Sequence, residues 1–118
     1  MKKQPNEQPL PKKTCTIDRL VTIPKDVEKV INGEKTASRR NSRYADRGEV
    51  MILDDHRFVV DDIYTQKLGD MTEQDAQEEG YDSLDAYKQA ILSIHPDMKW
   101  IPEMTVCVHK YSPLKNVN

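Results

Sequence analysis

The stretch GEKTASRRNSRYADRGE, Gly33 to Glu49, gathers the groups in this chain best suited to chemistry. Lys35 precedes the Ser38 hydroxyl by three residues, and Arg39, Arg40, Arg43 and Arg47 follow. A lysine that loses its proton through burial or neighbouring cations can act as base toward a serine hydroxyl, which then attacks a carbonyl. On a straight strand, Thr36, Ser38 and Arg40 share one face and Lys35 falls on the other. Pairing Lys35 with Ser38 therefore demands a bend between them. A plainer reading competes: Lys and Arg on an exposed edge strand discourage aggregation. From composition alone the plainer reading is favoured.

Glu79 is the second chemical candidate. It lies three residues after Ala76 and seven after Thr72, on the helical face that carries a small apolar residue. The same spacing turns Glu78 toward solvent. A partly buried carboxylate can keep its proton to higher pH and serve as a general acid, although most acids on such a helix only solvate it. The histidines His56, His95 and His109 have no ligand-like spacing, so no metal is expected. The four glycines form no phosphate-binding loop, and no cofactor is expected.

These groups must be positioned by a small fold. The 118 residues suffice for one domain, read as residues 15–113 between a flexible, proline-rich tail over 1–14 and a short tail over 114–118. Net charge is −2, which excludes coating nucleic acid by bulk charge. The charge is unevenly spread, since Leu68 to Tyr87 holds seven acids and no Lys or Arg. A local basic surface on an acidic body suits a polyanionic or nucleoside-type ligand. Cys15 and Cys107 lie far apart, as in the reduced thiols of a cytoplasmic protein, and Cys107 reads as a packing residue. No apolar run approaches membrane-spanning length and no signal-peptide core opens the chain, so no membrane association is expected.

Element signals follow in order. Thr22-Ile-Pro-Lys-Asp opens a helix that Asn32-Gly33 closes. Thr36–Arg40, Val50–Leu53 and Phe58–Thr65 read as strands, with Asp54-Asp55-His56 a tight turn. Thr72 caps a helix closed by Gly80, and Ser83 caps another that His95-Pro96 stops. Met104–Tyr111 reads as a last, alternating strand. The order predicts an α+β fold: a small barrel or curved sheet, with a helix before the first core strand and a two-helix insert before the last.

Val30-Ile-Asn-Gly-Glu-Lys-Thr-Ala-Ser-Arg-Arg40 resembles the G-x-K-x-x-x-x-R signature of the ASCH domain family, filled by Gly33, Lys35 and Arg40. Leu68 to Glu79 with Ser83-Leu84 resembles the helical insert of its small bacterial members, and Trp100 to Tyr111 resembles their final strand. The resemblance spans residues 18–112. It implies a PUA-like β-barrel and a link to RNA or modified nucleosides. Some small bacterial members are amidohydrolases that remove the acetyl group of N4-acetylcytidine, using a Lys, a Thr three residues later and a Glu on the insert helix. By motif position these fall on Lys35, Ser38 and Glu79, with Ser in place of Thr. The expected ligand contacts are Gly33, Arg39, Arg40, Arg43 and Tyr44. Three functions stay open: hydrolysis of an N4-acylated cytosine nucleoside or related modified nucleoside; a non-catalytic RNA-binding module in which the 35–47 cations contact phosphates and Tyr44 stacks on a base; and metal-independent ribonuclease activity, for which no histidine pair argues.

Overall fold

The computed structural model describes residues 10–94, 97 and 99–114. Pro24 opens helix α1 (Pro24–Ile31), where its missing N–H costs nothing, and Asp26 lies in the first turn. Val30 buries against the core, with Val27 and Ile31 packed beside it. Gly33 ends the helix at φ +81°, a conformation that glycine adopts freely. The reversal brings the N–H groups of Glu34 and Lys35 to Lys29 O, at 2.8 and 3.1 Å. Strand β1 (Ala37–Arg40) follows at once.

Strands β2 (Val50–Leu53) and β3 (His56–Lys67) form a hairpin. Its two turn residues, Asp54 and Asp55, stand at φ 47° and 70°, the left-handed pair that matches strand twist in a tight hairpin. β3 runs beyond the expected Phe58–Thr65 because it pairs along its length with β4 (Thr105–Pro113). A bulge between Val60 and Asp62 bends it. The capping box of Thr72 and Asp75 starts α2 (Glu73–Glu78), and Ser83 Oγ accepts from Ala86 N–H in the first turn of α3 (Leu84–Ile94). The expected stop at His95-Pro96 lies outside the described residues.

The sheet order is β1-β4-β3-β2, every pair antiparallel, and the sheet curls into a half-barrel. The fold is α+β in the expected element order. Leu20, Val30, Met51, Phe58 and Tyr111 form one core with α1, and Leu68, Met71, Ala76, Tyr87 and Val106 form a second under α2 and α3. Because both faces of β4 are covered, Val106 to His109 are all buried, and the expected alternation of the last strand does not appear. Residues 1–9 and 115–118 of the expected tails lie outside the described residues. Lys13 bridges in parallel to Arg43, and Thr14 N–H donates to Arg43 O at 3.2 Å, so this part of the first tail is tied to the loop after β1. Among the described residues no helix is long and apolar enough to cross a membrane.

Candidate functional site

The end of α2 lies against the start of β1. Gly80 permits this contact: at φ +93°, a Cβ there would meet Lys29 Cδ at 3.0 Å and Lys35 Cβ at 3.4 Å. Thr36 N–H donates to Glu78 O at 2.7 Å, stitching the two segments together. Lys35 Nζ consequently donates to Glu79 Oε1 at 2.8 Å and to Glu79 O at 3.2 Å. Arg39, two positions further along the same side of the chain from Ala37, donates from Nη1 to Glu79 Oε2 at 2.9 Å. One carboxylate thus bridges two cations, and all three side chains are at most 7% exposed.

Charges so deeply buried are tolerable only when paired. Arg39 Nε donates to Gln66 Oε1 at 3.0 Å, and Gln66 Nε2 donates to Asp75 Oδ2 at 3.0 Å. Arg39 Nη2 lies 3.6 Å from Asp75 Oδ1, which completes a neutral set of two cations and two carboxylates. That separation is too long for a hydrogen bond, and Nη2 makes none. Burial pushes the Asp75 carboxyl upward, but hydrogen bonds from Thr72 and Gln66 and the charge of Arg39 outweigh it and hold Asp75 below its ordinary range.

Ser38 stands apart from this cluster. It opposes His109 in the β1–β4 register, whereas Arg39 opposes Val108, so strand alternation separates their side chains. Ser38 Oγ and Tyr111 Oη are hydrogen-bonded at 2.8 Å. Burial raises the Tyr111 phenol well above its ordinary range, so the group stays neutral. No hydrogen bond joins Ser38 to Lys35 among the described residues. The β1–β4 ladder begins at Ala37 and fixes Ser38 against His109.

His109 is fully buried beside Ser38. Its Nε2 accepts from Tyr44 N–H at 3.0 Å, which leaves the proton on Nδ1 to be donated to Ser38 O at 3.2 Å. Burial lowers the His109 pKa from its ordinary 6.5, and Arg40 lowers it further against the opposing Ser38 and Cys107 carbonyls and Glu79. Below pH 6.5 the unfolded chain therefore takes up this proton before the folded one, and stability rises with pH across that window. The thermal midpoint is expected to fall as pH drops from 6.5 toward the folded pKa, and His109→Gln to flatten the slope. A wild-type midpoint indifferent to pH there contradicts this reading of the imidazole.

A cleft of about 850 Å³ is lined by Arg39, whereas Lys35, Ser38 and Glu79 are not among its lining residues. Arg39, Arg40, Asn41 and Tyr44 form its polar wall, and Tyr87 and Trp100, with aliphatic side chains from α3 and β4, form much of the rest. The Tyr87 and Trp100 rings meet edge to face at 6.2 Å, and the Arg40 guanidinium lies 5.7 Å over Tyr44. Of the expected contacts, Arg39, Arg40 and Tyr44 line the cleft. Gly33 is instead the turn residue after α1, and Arg43 is drawn away to Asp46 and to Pro11 O. The 35–47 cations are mostly neutralised: Lys35 and Arg39 by Glu79, Arg43 by Asp46 and Arg47 by Asp62 at 2.7 Å. Among the described residues only Arg40 of the five lacks a carboxylate partner, its guanidinium donating to the carbonyls of Leu20 and Arg39.

The sequence reading missed Gln66, Asp75, Tyr87, His109 and Tyr111 as parts of this region. Only Asp75 carried a local signal, since its spacing from Thr72 is that of a capping box. The others are placed by strand register and helix packing.

No family model matches the chain, and no curated protein matches it. Solved structures do. An ASCH domain from Lactobacillus crispatus superposes with a TM-score of 0.63 at 13% identity, over 75% of this chain and 70% of that one. The protein EF3133 from Enterococcus faecalis, of the family DUF984, gives a TM-score of 0.55 at 17% identity, over 75% of this chain and 66% of that one. At such identities the likeness is one of fold. The curled antiparallel sheet, the helix before β1 and the two-helix insert before β4 thus make up an ASCH-domain fold.

Proposed function

We propose that the protein hydrolyses the amide of an N4-acylated cytosine nucleoside, or a related modified nucleoside, held in this cleft. The observation that carries the reading is the Lys35–Glu79 pair: 2.8 Å apart, both side chains over nine-tenths buried, and joined through Arg39 to the cleft wall. A desolvated lysine and carboxylate in direct contact beside a cleft are groups of the kind that acid–base chemistry uses. Transfer of one proton from Lys35 to Glu79 across their hydrogen bond yields a neutral amine and a neutral acid together. Lys35 then takes the proton of Ser38 as Oγ bonds to the acyl carbon. The C–N bond breaks while Glu79 gives its proton to the exocyclic nitrogen, which leaves as a neutral amine. Water attacks the resulting ester, its proton passing to Glu79, and Lys35 returns a proton to Ser38 as the free acid departs. The observed geometry adds one requirement: Ser38 Oγ must turn from Tyr111 toward Lys35 when substrate binds. Ser38 opposes His109 in the β1–β4 ladder, so this turn takes a backbone shift between Lys35 and Ser38 as well as a change of rotamer.

The same ion pairs weigh against an RNA-binding module, since among the described residues they leave Arg40 as the single cation of the stretch free of a carboxylate. Purified protein is expected to release cytidine from N4-acetylcytidine at a rate that barely responds to salt. Absence of turnover, with binding to short RNA that weakens steeply as salt rises, would replace this reading with the module.

A further inference from the structure

The cleft is larger and more apolar than a nucleoside with an acetyl group calls for. Its volume of about 850 Å³ lies in the upper part of the range for sites that enclose drug-sized ligands. The groups able to meet the hydrogen-bonding edges of a base and the hydroxyls of a ribose are concentrated on the wall from Arg39 to Tyr44. The remaining walls carry six aliphatic side chains, Ile23, Leu68, Ile91, Ile94, Met104 and Val106, with the exposed Asp97 beside them. Ile23 and Ile94 are 46% and 52% exposed, so two large apolar side chains bordering the cleft stand in water. Neither a ribose nor a cytosine ring makes use of such a surface, whereas a hydrocarbon chain does.

We propose that the preferred substrate carries an apolar acyl group longer than acetyl, laid along these aliphatic walls while the nucleoside occupies the polar one. This specificity rests on the amidohydrolase reading and names the acyl class of its substrate. It follows from one cleft being lined both by Arg39, which contacts Glu79, and by the aliphatic side chains. Each methylene moved from water onto such a surface multiplies an association constant about fourfold.

The test is a series of N4-acetyl-, N4-butyryl- and N4-hexanoylcytidine, measured for turnover and, through the fluorescence of Trp100 in the cleft wall, for binding. Affinity and kcat/KM are expected to rise about fifteenfold from acetyl to butyryl and further to hexanoyl, in line with the gain per methylene. Ile94→Asp, at a position 52% exposed, should remove most of the hexanoyl advantage. If none of the compounds is turned over yet affinity climbs with chain length, the hydrolase reading fails and the apolar subsite stands. If acetyl is turned over and the longer chains bind no tighter, the subsite is overturned and the hydrolase reading stands.

Discussion

Glu79→Ala is expected to cost the fold about 3–5 kcal/mol, read as a lower urea midpoint. The substitution removes the carboxylate that Lys35 and Arg39 share and leaves two cations at most 7% exposed without their main partner. Neither has an easy route to water, since α2 closes over Lys35 through the Thr36–Glu78 and Lys29–Gly80 hydrogen bonds. Glu79→Gln keeps the shape and one acceptor oxygen and should lose less. The Arg47–Asp62 pair supplies the contrast: its side chains are 64% and 47% exposed, and Arg47→Ala should cost no more than about 1 kcal/mol. Equal losses for Glu79→Ala and Arg47→Ala would show that the buried set is not held by its charges.

Lys35→Arg is expected to lower kcat for amide hydrolysis by about 10²–10⁴-fold, the usual worth of a positioned acid–base group. Arginine retains a positive charge opposite Glu79 but cannot give up its proton to become a base. The substitution therefore separates the two roles of the residue: stability should stay near that of the wild type while turnover is lost. Ser38→Ala should be equally inactive, and Ser38→Thr, which restores a hydroxyl, should recover part of the rate. A Ser38→Ala variant with unchanged turnover would remove the covalent step and leave a directly activated water as the nucleophile.

Much of the architecture was legible in the residues because its signals are local. Gly33 and Gly80 mark chain reversals that only a positive φ permits, Thr72 with Asp75 marks a helix start, and Val50–Leu53 emerged with the expected bounds. The inward turn of Glu79 was also legible, since helical spacing puts it beside the fully buried Ala76. Strand register was not. Nothing near Ser38 in sequence announces Tyr111, which lies 73 residues away and arrives through the β1–β4 pairing. The basic stretch misled for a similar reason: Asp62 and Glu79, which neutralise Arg47, Arg39 and Lys35, come from β3 and from the C-terminal end of α2. The buried His109 was read as one residue of an alternating strand because the cover on both faces of β4 comes from distant segments.

The central claim is that the buried Lys35–Glu79 pair is a reacting centre and not only a structural one. Cytidine release from N4-acetylcytidine by wild-type protein and by folded Lys35→Arg, assayed side by side, tests it most directly. Turnover by the wild type and its loss in the variant at unchanged stability are expected. Equal rates in the two proteins, or no release by the wild type, would contradict it.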